Sequence, residues 1–185
     1  MSDSRAIPTR LLDGCRRGDA ASQKEVYARY YGYGLNITLR YTKTREEAVE
    51  VLNDGYLKIF RHMDRYNPAF PFLSWFRRIM VNTAIDHFRS TRKEMDMLEL
   101  LKEGAGDQAV EMPGMDEGSD LLPVLQQLSP GYRMVFNLYV MEEYTHEEIG
   151  EMLGITTSAS RSNLTRAKQR LRELILDQLP SKMKL

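Results

Sequence analysis

Apolar positions recur at helical spacing in four stretches of residues 1–92, and this pattern predicts four helices. The first helix is short and ends near Gly18, after which Asp19 can cap the second. The second helix runs to about Tyr41 and carries Gly32 and Gly34 in its interior. Because glycine weakens a helix interior by about 1 kcal/mol relative to alanine, we expect close packing or a local bend at this pair.

Two further helices follow, with a non-helical segment between them. Thr44 and Glu47 have the spacing of a capping box, which predicts a helix that reaches about Met63. The segment RYNPAFPF contains two prolines, so it forms a loop before a fourth helix over residues 72–92. The core candidates of these helices and of the second one are Val26, Tyr30, Leu35, Leu39, Ala48, Val51, Leu52, Leu57, Ile59, Phe60, Leu73, Phe76, Ile79, Met80, Ala84, Ile85 and Phe88.

Helical periodicity is lost over residues 93–118, where glycine and acidic residues are frequent. This composition is typical of a flexible linker. After the linker, Ser119 or Asp120 can cap a short helix that ends near Leu128. The pair Ser129-Pro130 then offers a cap and a proline at the first position of another helix. That helix includes Met134, Val135, Leu138, Tyr139 and Val140.

The stretch YTHEEIGEMLGITTSASRSNLTRAKQRLREL, residues 144–174, predicts two helices joined by a tight turn. Thr145 and Glu148 have capping-box spacing, and Gly154 stands where a helix ends on a left-handed residue. A hydroxyl residue among 156–158 can cap the second helix. The side chains expected to face inward on this helix are Leu164, Ala167, Leu171 and Leu174, and those expected outward are Arg161, Ser162, Thr165, Arg166 and Arg170.

A helix, a turn with glycine and a second helix rich in arginine and hydroxyl groups is the arrangement of a helix-turn-helix. The second helix of that motif enters the major groove, where arginine binds guanine edges and serine or threonine donates or accepts hydrogen bonds. The alternative is a plain helical hairpin whose basic face is only solvated. The stretch from Arg161 to Arg172 carries five basic residues and no acidic one, which favours a polyanionic partner.

Charge is unevenly spread, although the 185-residue chain has no net charge. Residues 1–92 carry 16 basic and 10 acidic side chains, residues 93–127 carry 2 and 9, and residues 128–185 carry 8 and 7. A basic block, an acidic bridge and a block with one basic helix indicate two domains and a linker. The whole chain is not basic enough for a stand-alone nucleic-acid-binding protein.

Several classes of protein are disfavoured by what the sequence lacks. No apolar run reaches the roughly 18 residues of a membrane span, and the N-terminal residues lack the apolar core of a signal peptide. The single cysteine, Cys15, cannot form an internal disulfide, so we expect a cytoplasmic protein. The three histidines lack metal-ligand spacing and no phosphate-binding glycine pattern occurs, so we expect no metal, no cofactor and no catalytic site.

The fourth helix interleaves basic residues with an aromatic one. Trp75, Asn82, Asp86 and Arg89 lie largely off its core face. Bases stack on aromatic rings while arginine holds phosphates, so this face suits a nucleic-acid strand. Two alternatives are open: Trp75 can be a core residue, and Asn82 can merely tie the preceding loop to the helix.

The chain resembles the extracytoplasmic-function (ECF) sigma factors of bacterial RNA polymerase in four motifs that keep the family's order and spacing. These are LLDGCRRGDAASQKEVYARYY, EEAVEVLNDGYLKIF, FLSWFRRIMVNTAIDHFR and the stretch 144–174. The resemblance implies an all-α protein of two small helical domains. Residues 1–92 are the expected four-helix sigma region 2, residues 93–118 a flexible acidic linker, and residues 119–185 the helix-turn-helix of sigma region 4.

The resemblance also implies a function and partners. A protein of this kind binds core RNA polymerase at the β′ clamp and the β flap, and directs promoter-specific initiation without being an enzyme. It recognises the −35 element and melts the −10 element of promoter DNA, and an anti-sigma factor is its expected inhibitor. The site residues implied are Asn53, Asp54 and Lys58 for polymerase, the loop Arg65–Phe72 with Trp75, Asn82, Asp86 and Arg89 for the −10 element, and Arg161, Ser162, Asn163, Thr165 and Arg166 for the −35 element.

Two departures from the family pattern and two other functions are weighed against this. Many members have Gln-Glu at Asn53-Asp54, and valine and arginine at Ser160 and Asn163, so the −35 sequence preferred is open. A polymerase-independent helix-turn-helix regulator would leave the helices of Asp54 and Trp75 unexplained. A DNA recombinase would need a nucleophile within a cluster of arginines, and the N-terminal half offers no such set.

Overall fold

The computed structural model describes residues 7–91 and 121–178. The chain divides into two compact units, Met1–His87 and Phe88–Leu185. Every regular element within the described ranges is helical, so the predicted all-α class with two helical regions is confirmed. The flexible linker, the domain boundaries near residues 92 and 118, and the caps Ser119 and Asp120 lie outside the described residues and stay predictions.

Four α-helices and one 3₁₀ turn form the described part of the first unit. Helices α1 and α3 both pack on α2, and the 3₁₀ turn packs on both α1 and α3. Fully buried side chains from all four helices make up the core, among them Leu11, Val26, Leu52, Ile59, Phe72, Phe76 and Met80. The elements are α1 (Thr9–Arg16), α2 (Ala20–Thr38), α3 (Arg45–Arg61), the 3₁₀ turn Met63–Arg65 and α4 (Phe72–Thr91).

Side-chain caps start α2 and α3. Asp19 accepts a hydrogen bond from the Ser22 amide at 2.9 Å, as predicted, and also one from the Ser22 hydroxyl. These bonds lower the pKa of the Asp19 carboxyl. Thr44 accepts from the Glu47 amide at 3.2 Å, but the Glu47 carboxylate accepts from the Lys43 amide at 2.9 Å. Only half of the predicted capping box is therefore present at α3.

The helix ends differ from the predicted ones where local hydrogen bonds compete with the helix. Helix α2 ends at Thr38 rather than near Tyr41, because the hydroxyls of Thr38 and Thr42 bond carbonyls of the last turn. Helix α3 ends at Arg61, and the 3₁₀ turn replaces its predicted continuation to Met63. Among the predicted core residues, Leu57 is 61% exposed, so the prediction that it belongs to the core is wrong.

The two glycines inside α2 have different surroundings. A Cβ at Gly34 would lie 2.6 Å from Leu52 Cδ1 and 3.1 Å from Phe76 Cζ, whereas a Cβ at Gly32 would meet nothing within 4 Å. Close packing is therefore confirmed at Gly34 and absent at Gly32. Leu52 and Phe76 are themselves fully buried and have little room to move.

We expect the substitutions Gly34→Ala and Gly32→Ala to change stability in opposite directions. The Gly34 variant overpacks the core, which costs about 1–3 kcal/mol and exceeds the helix-propensity gain of about 1 kcal/mol. The Gly32 variant keeps only the gain and is the matched control. Urea unfolding followed by the fluorescence of Trp75, the one tryptophan, measures both in the first unit. Equal effects of the two variants would contradict the packing argument.

The described part of the second unit is built on one long helix. Helices α6 and α7 pack against α8, and α5 packs on α8 as well. Predicted inward residues Leu164, Ala167, Leu171 and Leu174 are all buried. The elements are α5 (Leu122–Leu125), α6 (Pro130–Phe136), the π-helical turn Asn137–Met141, α7 (His146–Leu153) and α8 (Thr157–Gln178).

A buried arginine and a buried asparagine organise the start of this unit. The Arg133 guanidinium donates to the carbonyls of Leu128 at 2.8 Å and Gln126 at 3.3 Å, just after α5 ends. The Asn137 amide donates to the Arg133 carbonyl at 2.9 Å, where the α-helix changes to a π turn. The predicted single helix is therefore interrupted. Pro130 is its first residue, as predicted, but the Ser129 side chain makes no cap bond.

Candidate nucleic-acid interface

The helix-turn-helix is formed by α7, a short turn and α8. Both halves of the capping box are present, since Thr145 accepts from the Glu148 amide and the Glu148 carboxylate accepts from the Thr145 amide at 2.8 Å. The bonds that the Thr145 amide and hydroxyl donate to the Glu148 carboxylate lower the pKa of that carboxyl. Gly154 ends α7 with φ of 65°, and the Thr156 hydroxyl caps α8 by accepting from the Ala159 amide at 3.0 Å. The predicted start and end of α7 and the predicted start of α8 are confirmed, and α8 continues past Leu174 to Gln178.

Contacts between the two helices fix their relative position. A Cβ at Gly150 would lie 2.9 Å from the Ile155 carbonyl oxygen, so the turn passes closer to α7 than a larger residue permits. His146 Nδ1 lies 2.9 Å from the hydroxyl of Ser160, which is fully buried. The His146 ring also stacks on Tyr139 of the π turn, with 4.5 Å between ring centroids. The N-terminus of α7 is thus held by both neighbouring elements.

Four of the five predicted −35 residues form one accessible patch on α8. Arg161 is exposed, and Ser162, Thr165 and Arg166 are partly exposed. Positions 161 and 165, and positions 162 and 166, are each one helical turn apart, so the four side chains are neighbours. Arg161 Nη2 lies 3.6 Å from the Glu147 carboxylate of α7, which holds the guanidinium near the start of α8.

Asn163 does not belong to this patch, which corrects the prediction made for it. Its side chain is fully buried, at 0% exposure. It shares a face with Ser160 and Ala167, three before it and four after it, and both of these are buried too. A residue on the core face of α8 cannot reach a base edge while the helix stays packed.

The predicted −10 residues form a stripe along α4. Asn82, Asp86 and Arg89 are exposed, and Trp75 is partly buried. Position 82 lies two turns after position 75, so the stripe runs along one side of the helix. None of the hydrogen bonds in the described ranges involves the Asn82 side chain, and the alternative that it ties the loop to α4 therefore has no support.

Trp75 combines the two roles considered for it. Its ring lies 5.3 Å from the Tyr66 ring and 5.8 Å from the Phe72 ring, so it edges the aromatic core of the first unit. Part of the ring remains accessible at the surface. An aromatic ring supported on one side and open on the other is a suitable stacking surface for a base.

The loop before α4 presents a second aromatic ring. Phe70 is 65% exposed, which is unusual for so large an apolar residue in a protein of this size. The loop has a defined turn, because the Phe70 amide donates to the Asn67 carbonyl at 3.1 Å and the Ala69 amide donates to Asn67 Oδ1 at 3.0 Å. The resemblance implied that this loop is a reader of the −10 element but did not single out Phe70. Its place between two prolines, outside any helical periodicity, was the available signal.

The outer face of α3 contains the residues predicted to bind polymerase. Asp54 is exposed, and within the described ranges it forms no hydrogen bond or ion pair. Leu57 lies one turn further and exposes most of its surface, so an apolar side chain stands beside the carboxylate. Asn53 Oδ1 accepts from the Tyr27 hydroxyl at 3.0 Å. Leu57 was assigned to the core from the sequence, and its exposure adds it to this candidate surface.

Lys58 connects this face to the α4 stripe. Its ammonium group lies 2.7 Å from the Asp86 carboxylate. Lys58 is partly exposed and Asp86 is exposed, so the ion pair contributes little to stability. It does show that a residue predicted to bind polymerase and a residue predicted to bind DNA are neighbours.

Two other kinds of feature are absent from the described ranges. No group of three His, Cys, Asp or Glu side chains there could hold a metal ion. None of the helices in the same ranges combines the length and the apolar content that crossing a bilayer requires.

Both units match models of one protein family. The model of Sigma-70 region 2 matches residues 26–94, and that of Sigma-70, region 4 matches residues 120–171. The chain belongs to the sigma-70 family. This sigma factor is 29% identical over 167 residues to RNA polymerase sigma factor CarQ of Myxococcus xanthus, a match that covers 89% of this chain and 95% of that protein.

Other relatives give the type of sigma factor. The chain is 25% identical over 152 residues to the ECF RNA polymerase sigma factor SigM of Bacillus subtilis, with 81% of this chain and 93% of that protein covered. A solved structure of the sigma factor RpoE with the anti-sigma factor NepR from Bartonella quintana is similar with a TM-score of 0.48 and 17% identity, over 84% of this chain and 98% of that chain.

The resemblance to ECF sigma factors is thus confirmed by the family models and by the named relatives. The protein is an RNA polymerase sigma factor, with a helix-turn-helix in its region 4. Its family is a class of transcription factors and is not known as a class of enzymes.

Proposed function

We propose that this ECF sigma factor docks on core RNA polymerase through the outer face of α3, melts the −10 element with α4 and the loop before it, and reads the −35 element with α8. The observation that carries the proposal is the presence of two separate accessible stripes of polar and aromatic side chains, one on α4 and one on α8. One stripe runs from Trp75 to Arg89 and the other from Arg161 to Arg166. A regulator that binds DNA through one helix-turn-helix alone would not need the first stripe.

The chemistry of the two stripes differs in the way that the two promoter elements require. The α8 patch offers two arginines and two hydroxyls, which suit base edges in the major groove of a duplex. The α4 stripe and its loop offer two aromatic rings, an asparagine and an arginine, which suit an unstacked single strand. One surface suited to a duplex and another suited to a single strand support the proposal that this factor opens promoters.

The proposed partners are compatible with the neutral net charge of the chain. A factor that acts only on polymerase need not supply all phosphate contacts itself, which explains how a chain without net charge can bind promoter DNA. The proposed partners include the β′ clamp and the β flap of core polymerase and an anti-sigma factor. The proposed location is the cytoplasm. The factor has no catalytic activity of its own.

Reconstitution tests the proposed function. Core polymerase is incubated with this protein and a randomised promoter library, and the RNA products are sequenced. The expected result is transcription that starts at a fixed distance from two enriched sequence elements and that requires the protein. Tight binding of the protein alone to a duplex site, with no stimulation of core polymerase, would instead identify a polymerase-independent regulator.

The −35 patch yields a prediction about sequence preference. Arg161→Ala should lower affinity for the selected −35 duplex by about 1–3 kcal/mol if the guanidinium binds a base bidentately, and it should relax preference at one position. Arg172→Ala, three turns further along α8, is the matched control and should leave preference unchanged. Site selection with each holoenzyme measures the result. A uniform weakening across all sequences would make Arg161 a phosphate contact.

A further inference from the structure

Tyr66 holds a central position at the start of the loop before α4. Only 5% of the surface of this residue is accessible to solvent. Its ring meets Phe72 edge-on at 5.4 Å and Trp75 at 5.3 Å, which are the first residues of α4 and of the predicted −10 stripe. The ring therefore ties the loop to the helix that bears the stripe.

The hydroxyl of the same residue holds the other end of the loop. It donates to the Phe70 carbonyl at 2.7 Å, a short and well-formed hydrogen bond. Burial raises the pKa of the Tyr66 hydroxyl, so it stays protonated and remains a donor at neutral pH. The backbone that presents the exposed Phe70 ring is thus fixed by a side chain four residues earlier.

A third contact fixes the backbone of Tyr66 itself. Arg16, in the last turn of α1, donates from Nη2 to the Tyr66 carbonyl at 3.2 Å. The guanidinium also lies 3.7 Å from the Asp13 carboxylate of the same helix, which limits its freedom. A helix that contributes no predicted site residue therefore contacts the recognition loop directly.

We propose that Arg16 and Tyr66 form a brace that sets the position of the Phe70 ring, and that this brace determines base selectivity in the −10 element without touching DNA. The proposal rests on the proposed function, since it assumes that the loop reads the melted strand. Both residues are positioning residues: Arg16 acts on Tyr66, and Tyr66 acts on Phe70.

Removal of one oxygen atom tests the brace. Tyr66→Phe keeps the ring contacts with Phe72 and Trp75 but loses the bond to the Phe70 carbonyl. Holoenzyme is made from core polymerase and each variant, and its affinity is measured for single-stranded oligonucleotides in which each −10 position is varied through the four bases. The wild-type ratio between preferred and other bases should fall about tenfold, as loss of one positioning hydrogen bond permits.

A matched control separates positioning from stability. Tyr56→Phe also deletes a hydroxyl that donates to a carbonyl, that of Tyr27 at 3.1 Å, but this bond lies between α3 and α2. It should lower stability as much as Tyr66→Phe and leave base selectivity intact. If Tyr66→Phe keeps the wild-type selectivity, or if it also loses polymerase binding, the brace proposal is overturned.

The Arg16 end is tested in the same assay. Arg16→Met should reduce selectivity and Arg16→Lys should restore part of it, because lysine can still donate to the Tyr66 carbonyl. Arg17→Met, at the exposed neighbouring position, should behave as wild type. A wild-type holoenzyme without any base preference on these oligonucleotides would contradict −10 reading itself, whereas a selective wild type with unaffected variants contradicts only the brace.

Discussion

The Asp54→Arg protein should fold normally and fail to support transcription, because it no longer binds core polymerase. Asp54 is exposed on α3, so arginine there disturbs no packing and leaves helicity and thermal stability nearly unchanged. At an interface, charges are arranged to be complementary, and reversal of one places like charges together at a cost of several kcal/mol. We expect binding to weaken by about two to three orders of magnitude.

The neighbouring side chain explains why the effect should be large. Leu57 is an exposed apolar residue one turn from Asp54, and such residues are buried in the centre of interfaces. A carboxylate beside it would be desolvated on docking, where an unmatched charge costs most. Fluorescence anisotropy of labelled protein titrated with core polymerase measures the affinity.

Glu151→Arg is the control for this experiment. It makes the same change in net charge at an exposed position of α7 in the second unit. If it weakens binding as much as Asp54→Arg, the effect reflects total charge and not a docking surface. Unchanged binding by Asp54→Arg would remove α3 from the proposed interface.

Local signals in the sequence predicted most of the fold. The caps at Asp19, Thr145 and Thr156 and the left-handed Gly154 are found where short-range hydrogen bonding and backbone freedom require them. These features depend on residues three or four positions apart, so the sequence contains all of their causes. The family match reflects the same regularity, since its two regions are the two helical units.

The errors arise where a residue several turns away, or a competing local bond, decides the outcome. The Glu47 carboxylate accepts from the Lys43 amide and not from the Thr44 amide. The Asn137 side-chain amide bonds the Arg133 carbonyl where the predicted α-helix becomes a π turn. Leu57 is apolar and at helical spacing, yet no helix within residues 7–91 and 121–178 covers it. Helical spacing identifies candidate faces, but which of two apolar faces is covered depends on the packing of the other helices.

In the candidate site, too, local features were predictable from the sequence and contacts between distant residues were not. The resemblance implied five readers on α8, and the structure places one of them, Asn163, on the core side. The pair Lys58 and Asp86 is separated by 28 positions along the chain and could not be predicted from either motif. Because these two side chains bind each other, replacing either one alters both proposed faces, and neither variant can separate docking from DNA reading. Asp54 and Asn82 share no bond, so variants at these two positions can separate docking from DNA reading.

The Asn82→Ala protein should bind polymerase and the −35 duplex as wild type does, yet fail to open promoters. Its amide can donate and accept at once, which is enough to bind the edge of an unstacked base. Under the proposed function, this asparagine holds a base that is flipped out of the −10 element. Flipping costs a few kcal/mol, so loss of the group that holds the extruded base should reduce open complexes by roughly 10- to 100-fold.

Permanganate footprinting of the bubble on a duplex promoter measures this effect. Asn36→Ala, which removes another exposed asparagine from a helix of the same unit, is the matched control and should open promoters normally. A template already melted across the −10 element should rescue Asn82→Ala only in part, because capture of the base is still missing. Asn82 is exposed and makes no side-chain bond within the described ranges, so misfolding does not account for a loss of opening. Full opening on duplex DNA by this variant would show that another residue holds the strand, and Phe70 and Trp75 would then be the aromatic side chains to replace.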